Sequence, residues 1–423
     1  MGDVVKLEKP PAKGAKTRGA SRRRRPKKRS RTALVLGGGG FTGGVYEIGA
    51  LRALDLLAVN RTVNDFDVFV GTSAGSFVSS LLANGVTPEE MMRVVNQQPP
   101  SPFRDVDRSQ LMRPNYGEFI QTAALLPWRT LLAARSLVGQ VRELSVVDLA
   151  AEIAQHLPSG LYSTRGVERY LDGVLSEQGR VNDFRELERE LYLTATDLDT
   201  CERIVLGGDG WDHVTIAKAV SASTALPMVY KPVKVDGRDL VDGGIRSTTN
   251  IDIAVERGAK LIVVVNPLVP YVNDFQRQRP TALGSRVRRV ADMGLAQIGY
   301  QTFKLLAHQR LHDAVSRWKE RYPGVDIVLI EPRPNDELMF ETHIMDFTQR
   351  VEIARHGFES VTVRLAEDYD DLKAVCAKHG IEISATRVRK VVSKLARERE
   401  KTAAWRRILE QTTSALLRQS EQG

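Results

Sequence analysis

Short apolar runs recur along the chain, and most of them end in a glycine-rich or polar turn. The runs predict strands at residues 33–36, 66–70, 191–196, 239–241, 261–265 and 326–330. Several are continuously apolar, which is typical of strands that helices cover on both faces. Between them lie apolar residues at helical spacing, beginning with Ile48, Leu51 and Leu54. The alternation of strands and helices predicts an α/β fold with a mostly parallel central sheet.

Two regions depart from this alternation. Residues 98–145 contain five prolines and a group of large apolar residues, which indicate an inserted segment. We interpret it either as a helical cap packed on the core or as a lid that contacts a membrane. Further on, apolar spacing predicts one long helix over 285–321, two helices over 346–379 and a basic helix over 386–418. The last could pack as a helix, contact a partner or lie at a membrane surface.

The positive charge of the chain is concentrated at its N-terminus. Residues 1–32 hold 13 Lys and Arg against Asp3 and Glu8, a net charge of +11. The whole chain carries +9, so the remainder carries 9 − 11 = −2. A segment of this composition cannot bury enough apolar surface to fold and is predicted to be a disordered arm. Anionic lipid would attract it at about 1 kcal/mol per basic residue, and nucleic acid would attract the same arm.

These features predict a division of the chain into four parts. They are a disordered basic arm at 1–32, a main domain at 33–335, a helical extension of the core at 336–385 and a basic helical tail at 386–423. No run of about 18 apolar residues occurs, so we expect no membrane-spanning helix. The two cysteines lie outside any CxxC or Cys/His pattern, which argues against a disulfide scaffold and a zinc site. A reducing, cytoplasmic location is expected, with peripheral membrane contact as an addition.

A GxSxG pattern, Gly71-Thr72-Ser73-Ala74-Gly75, directly follows the predicted strand at 66–70. In a nucleophile elbow the serine lies on a tight strand-to-helix turn, and its neighbours are small because a side chain there would clash. The turn presents the hydroxyl at a helix N-terminus, where the dipole and free N–H groups favour developing negative charge. The alternative interpretation is a plain glycine-rich turn.

Four glycines, residues 37–40, follow the first predicted strand. Consecutive glycines leave the backbone free to point N–H groups at an oxyanion. The alternative is dinucleotide binding, because Gly38, Gly40 and Gly43 form GxGxxG between a strand and a helix. That fingerprint also calls for an acidic residue at the end of the second strand. Here the second strand ends in Gly71-Thr72-Ser73, which argues against a dinucleotide.

A third candidate is Asp242, which follows the predicted strand at 239–241 and precedes two glycines. Alone it is also consistent with an ordinary Asp-Gly turn. A Ser-His-Asp triad would need a histidine in a strand–loop setting late in the chain, and none of the seven histidines has one. His308 and His312 share a helix face without an HExxH pattern, so we interpret both as surface residues. No acidic loop has calcium spacing, so no metal is expected.

Together and in this order, the glycine loop, the GxSxG turn and the Asp-Gly-Gly loop resemble the patatin-like phospholipase family. Residues 194–198, 221–227 and 241–247 are similar to further segments of that family, and the match covers most of residues 33–270. The resemblance implies a three-layer α/β/α fold. It also implies a catalytic dyad without histidine, in which Ser73 is the nucleophile and Asp242 is its base. The oxyanion donors would then come from Gly38, Gly39 and Gly40.

The resemblance also implies a function, the hydrolysis of acyl esters in a lipid that is a phospholipid or lysophospholipid. No cofactor is expected. The expected partners are the lipid ester and an anionic membrane surface rather than nucleic acid, and the oligomeric state stays open. One departure is clear: the family's glycine loop usually carries Arg or Lys two or three residues further on, where this chain has Phe41-Thr42-Gly43-Gly44. The alternative is a non-catalytic lipid-surface or scaffold protein on the same fold.

Overall fold

The computed structural model describes residues 4–6, 30–101, 103–104, 108–120, 158–274, 279–280, 286–287, 289–342 and 344–397. Its strands are β1 Val4–Lys6, β2 Thr32–Leu36, β3 Val68–Thr72, β4 Arg113–Pro114, β5 Gly160–Ser163, β6 Glu190–Asp197, β7 Arg203–Leu206, β8 Met228–Tyr230, β9 Val233–Val235, β10 Arg238–Asp242, β11 Leu261–Val265, β12 Arg279–Pro280, β13 Arg286–Val287 and β14 Asp326–Ile330. Nine of these strands form the central sheet, in the order β1-β14-β11-β2-β3-β6-β10-β9 with β7 also pairing with β6.

Most strand pairs of the sheet are parallel, and this determines which edge of the sheet can hold a functional site. The neighbours from β1 through β14, β11, β2 and β3 to β6 are all parallel, whereas β10, β9 and β7 are antiparallel additions. The predicted α/β fold with a mostly parallel sheet is therefore confirmed. The carboxyl ends of β14, β11, β2 and β3 meet at one edge, where α/β proteins characteristically bind ligands.

Helices cover both faces of the sheet. They are α1 Gly40–Leu57, α2 Ala74–Ala83, α3 Pro88–Val95, α4 Arg108–Leu111, α5 Arg165–Leu175, α6 Ile216–Ser223, α7 Ile251–Glu256, α8 Leu295–Ser316, α9 Trp318–Arg321, α10 Glu337–Glu341, α11 Arg350–Glu367 and α12 Tyr369–Lys378, and residues 116–120 and 385–397 are also helical. Alternate residues of β2 point to opposite faces: Leu34 belongs to the core on one side, and Val35 to the core on the other. The arrangement has three layers, α/β/α.

The long helix predicted over 285–321 is wrong at its N-terminal end. Helix α8 begins only at Leu295, and residues 286–287 instead pair with residues 279–280 as a short hairpin. Gly294 has a φ of 89°, in the left-handed region that an L residue in a right-handed helix does not adopt. The apolar spacing continues on both sides of Gly294. The predicted helix therefore began too early in the chain, before the true start at Leu295.

The arm predicted to be disordered over 1–32 contains a strand. Val4–Lys6 pairs in parallel with β14 at the edge of the sheet, and Ser30 Oγ lies 2.6 Å from His379 Nδ1. A free sheet edge accepts β-branched residues readily, and the average composition of the arm conceals this short valine-rich stretch. Residues 7–29, which carry most of the charge, lie outside the described residues.

The insertion and the tail are described only in part. Residues 121–157 lie outside the description, so the prediction of a cap or lid over 98–145 is untested for most of its length. The tail is described up to residue 397, where Val388 and Leu395 are buried and pack this part of it onto the protein. Within the described ranges, no helix is both long and apolar enough to cross a membrane.

Candidate active site

Ser73 occupies the turn between β3 and α2. Its φ of 55° lies in the left-handed region, which is uncommon outside glycine and recurs at functional sites. The small neighbours have a steric cause. A Cβ on Gly75 would lie 2.5 Å from the carbonyl oxygen of Gly37, and one on Gly71 would lie 2.6 Å from Ser76 Cα. Gly75 is thus required by the packing of the turn against the carboxyl end of β2, and Gly71 by the tightness of the turn itself.

Asp242 is the last residue of β10, and the sheet brings it to Ser73 across 169 residues of sequence. The Ser73 hydroxyl donates to Asp242 Oδ2 at 2.6 Å. The other carboxyl oxygen, Oδ1, accepts the backbone N–H of Gly244 at 2.7 Å. Both side chains are almost inaccessible to solvent. The structure therefore brings together the two residues that the sequence singled out from separate motifs.

Burial changes the acid–base properties of this pair. It raises the pKa of Asp242 to about 6, and the hydrogen bonds from Ser73 and Gly244 offset only part of that rise. An ordinary aspartate is a weak base towards a hydroxyl group, whereas a pKa closer to neutrality is suited to general-base chemistry. Above pH 6 this carboxylate is ionised and can accept a proton from Ser73.

The glycine loop lies directly against the serine. A Cβ on Gly38 would be 3.2 Å from Ser73 Cβ, and α1 begins at Gly40, which has a φ of 61°. The N–H of Gly37 is donated to Val265 O at 3.0 Å. Within the described residues, the N–H groups of Gly38, Gly39 and Gly40 donate to no backbone carbonyl. The loop therefore holds backbone donors beside Ser73 at a helix N-terminus, where negative charge is favoured.

Ser223, at the end of α6, is a neighbour of Ser73 to which the sequence analysis assigned no role. Its hydroxyl accepts the backbone N–H of Ser73 at 2.9 Å. This hydrogen bond holds the turn at Ser73 in place. It also uses the backbone N–H of Ser73 as its donor. Ser223 belongs to the segment 221–227 that resembles the family, and that resemblance was the one sequence signal that could have indicated it.

A buried polar network supports the site from within the sheet. Asn250 Nδ2 donates to Thr72 Oγ1 at 3.0 Å, to Thr194 Oγ1 at 3.1 Å and to Ser247 O at 3.0 Å. The two threonine hydroxyls lie 2.9 Å apart. The network links the residue before Ser73 to the loop after Asp242. It joins residues up to 178 positions apart, and no local sequence pattern indicates it.

An apolar cavity opens beside Ser73 and Asp242 and encloses about 1210 Å³, counting its open mouth. Helices α1, α2, α3 and α5 supply most of its walls. The apolar lining includes Val45, Ile48, Phe77, Val78, Leu81, Met91, Val94, Leu111 and Val167. Ser73, Asp242 and glycines 38–40 line the same cavity, so the serine hydroxyl lies beside a mostly apolar wall.

The cation that is missing from the glycine loop has a counterpart elsewhere in the cavity wall. Phe41, the second residue of α1 and the first after the four glycines, stacks on Phe347 with ring centroids 3.9 Å apart. Arg350, the first residue of α11, is the one cationic side chain among the described lining residues, and its Nε donates to Val95 O at 3.4 Å. A positive charge is therefore present at this cavity, but it comes from the C-terminal helical extension.

Histidine takes no part in the described site. The described histidines are His213, His308, His312, His356 and His379, and none lines the cavity. His213 is exposed and pairs with Asp236 at 2.7 Å, as expected of a surface residue. His308 and His312 are half-buried, and they lie beside Glu331, a contact that their interpretation as surface residues did not include. Glu331 lies outside the helix that carries the two histidines, so the helical spacing of His308 and His312 could not indicate that it lies beside them.

Several known proteins are similar to this chain in sequence or in structure. The chain is 25% identical over 229 residues to "Probable lipid hydrolase 463L" of Invertebrate iridescent virus 6, a match that covers 53% of this chain and 63% of that protein. It is 22% identical over 255 residues to "Uncharacterized protein YqhO" of Bacillus subtilis strain 168, which covers 57% of this chain and 74% of that protein. VipD from Legionella pneumophila aligns in structure with a TM-score of 0.35 at 15% identity, over 80% of this chain and 67% of that one.

The family model "Patatin-like phospholipase" matches residues 34–255, just over half of the chain. The chain therefore belongs to the patatin-like phospholipase family.

Proposed function

We propose that this protein is a serine acyl hydrolase that cleaves lipid acyl esters, with Ser73 as nucleophile and Asp242 as base. The observation that carries the proposal is the 2.6 Å hydrogen bond from Ser73 Oγ to Asp242 Oδ2, between two residues that line a mostly apolar cavity. Membership of the family supports it, as does the viral relative described as a probable lipid hydrolase.

In the proposed reaction Ser73 Oγ attacks the ester carbonyl carbon while its proton passes to Asp242. The tetrahedral intermediate collapses, the acyl–oxygen bond of the ester breaks, and Asp242 returns the proton to the departing alcohol. Water then attacks the acyl-enzyme, Asp242 again takes the proton, and the fatty acid leaves as Ser73 is restored. The buried carboxylate with its raised pKa is suited to both proton transfers.

The proposed oxyanion donors are the backbone N–H groups of Gly38, Gly39 and Gly40. Gly38 lies directly against Ser73, Gly39 and Gly40 follow it in the chain, and no backbone carbonyl of the described residues accepts the three N–H groups. The N–H of Ser73 itself is bonded to Ser223 and is therefore not counted among the donors. Loss of one such donor typically lowers the rate by about 10²–10³-fold.

The shape of the cavity favours a substrate with a long apolar acyl chain. The lining that four helices supply is mostly apolar, which suits a fatty acyl group better than a polar peptide or sugar ester. Arg350 lines the same cavity, and its positive charge favours an anionic head group. Both features support a phospholipid or lysophospholipid as the substrate.

An active-site fluorophosphonate probe tests the nucleophile. We expect the wild type to be labelled, and Ser73→Ala to be unlabelled and to lose hydrolysis of a lipid panel of neutral esters, phospholipids and lysophospholipids. Ser80→Ala, in the same helix and outside the cavity, is the matched control and should behave as wild type. Full turnover in Ser73→Ala would refute the proposal. Liposome binding without hydrolysis of any ester would favour the non-catalytic alternative.

We also propose that the basic arm brings the enzyme to anionic membranes. Most of its charge lies in residues 7–29, between β1 at the sheet edge and Ser30, so both ends of this stretch are attached to the protein. Replacement of Arg22, Arg23, Arg24 and Arg25 by Gln should lower binding to phosphatidylserine vesicles at least tenfold, because each charge contributes about 1 kcal/mol. Equal binding of variant and wild type, or binding that salt does not weaken, would contradict this role.

A further inference from the structure

A second cluster of chemically active side chains lies at the same edge of the sheet, outside the cavity. His308 and His312 are one turn apart in α8, and their rings stack with centroids 3.8 Å apart. Glu331 follows β14 directly, and its Oε2 lies 2.9 Å from His312 Nε2. One ligand atom from each of the three residues lies within 4.8 Å of the others.

We propose that His308, His312 and Glu331 form a binding site for Zn²⁺ or a similar divalent transition metal. Two imidazoles and one carboxylate are a common ligand set for zinc, and the fourth position is then taken by water. Tetrahedral bonds of about 2.0–2.1 Å place ligand atoms roughly 3.3 Å apart. The ligand atoms now lie within 4.8 Å of one another, so they have to approach by at most about 1.5 Å to reach that spacing. All three are half-buried, so an ion can enter from solvent.

The ligand set also decides which ions are excluded. Mg²⁺ and Ca²⁺ require oxygen ligands, and this cluster offers one carboxylate against two imidazole nitrogens. Zn²⁺ accepts both donor types and imposes little geometric preference of its own. We therefore expect the site to bind Zn²⁺, Co²⁺ and Ni²⁺ and not to bind Mg²⁺.

The surroundings of Glu331 orient it as a ligand. Its other oxygen, Oε1, accepts Asn266 Nδ2 at 2.7 Å, which leaves Oε2 directed at His312. Hydrogen bonds of this kind around a metal ligand fix its orientation and raise its affinity for the ion. The two histidines project from one face of a 22-residue helix, which holds them in register.

The same contacts connect the site to the cavity. Asn266 Oδ1 accepts the backbone N–H of Leu268 at 3.3 Å, and Leu268 lines the cavity. Pro267 packs on the glycine loop so closely that a Cβ on Gly39 would lie 2.8 Å from its Cγ. A bound ion would therefore tie α8 to β14 and hold residues 266–268 in place. The metal site does not depend on the proposed hydrolase activity, and its tests are separate from it.

Metal content of the full-length protein provides the first test. After EDTA treatment and dialysis against micromolar Zn²⁺, we expect one equivalent per chain by mass spectrometry of the metal, undiminished by millimolar Mg²⁺. His308→Ala, His312→Ala and Glu331→Gln should each weaken binding at least tenfold. His213→Ala, which removes an exposed histidine elsewhere, is the matched control and should bind as the wild type does.

Two measurements on the wild type keep the test independent of whether the variants fold. Crystals grown with stoichiometric Zn²⁺ should show an anomalous peak between the three side chains, and Co²⁺ should give the visible spectrum of a tetrahedral site. Absence of stoichiometric Zn²⁺, an anomalous peak elsewhere, or undiminished binding by a folded His308→Ala variant would each overturn the proposal. In that case the cluster is an ordinary ion pair between His312 and Glu331.

Discussion

Replacement of Asp242 by Asn separates the chemical role of this carboxyl group from its effect on stability. Oδ2 accepts Ser73 Oγ, and Oδ1 accepts the Gly244 N–H. An Asn side chain has one oxygen, which the Gly244 N–H will hold, so its NH₂ group faces Ser73. The hydroxyl can rotate to accept that hydrogen bond, so Asp242→Asn keeps the packing and loses the base. Ester hydrolysis should fall by at least about 10²–10⁴-fold.

The magnitude of the stability change follows from the pKa of Asp242, which burial raises from 3.8 to about 6. The folded protein keeps the proton more tightly than the unfolded chain, so wild-type stability falls as pH rises from about 4 to about 6 and is constant above. Over the whole pH range the wild type loses about 3 kcal/mol of stability through ionisation of Asp242. About 1 kcal/mol of this loss has already occurred at pH 4.5. Asn does not titrate. The stability of Asp242→Asn relative to wild type should therefore increase by about 2 kcal/mol between about pH 4.5 and pH 8.

Urea unfolding of both proteins at the two pH values measures this difference, and any effect of the substitution that is independent of pH cancels. Asp239→Asn is the matched control. It lies in the same strand, and its half-exposed side chain forms an ion pair with Lys234 away from the cavity. The control should keep ester hydrolysis. If the stability difference between Asp242→Asn and wild type is the same at both pH values, the carboxyl is not held protonated by burial and the reasoning fails.

Three further predictions concern the same region. The kcat/KM for an ester should fall about tenfold from pH 7 to pH 5, because Asp242 must be ionised to act; a flat profile over this range would exclude it as the base. Gly40→Ala should lower the free energy of unfolding more than Gly85→Ala in urea titrations. Both positions have positive φ, but a Cβ on Gly40 would also lie 2.2 Å from Ile344 Cγ1, and nothing lies within 4 Å of Gly85. Burial raises the pKa of Glu47, so wild-type stability should decline as pH rises above the unfolded pKa, and Glu47→Gln should decline less; parallel pH profiles would contradict this.

Local sequence patterns predicted the parts of the fold that depend on neighbours in the chain. The apolar runs at 261–265 and 327–330 lie in strands with the predicted bounds, 261–265 and 326–330, because a strand that helices cover on both faces consists mostly of apolar residues. The small residues around Ser73 also predicted the tight turn correctly, because the turn leaves no space for a Cβ at Gly75. Local patterns failed where a single backbone angle or a distant edge decided the outcome, as at Gly294 and at Val4–Lys6.

By itself, the sequence determined the alternation of strands and helices, the strand-end positions of Ser73 and Asp242, and the glycines beside them. Only the tertiary structure decided that these residues touch, because the order and register of β3, β6 and β10 set the distance between them. The same is true of the raised pKa of Asp242 and of the cluster around Glu331. Hydrogen bonding and burial depend on groups that are far apart in the chain, and a sequence pattern contains no information on which distant groups a sheet will bring together.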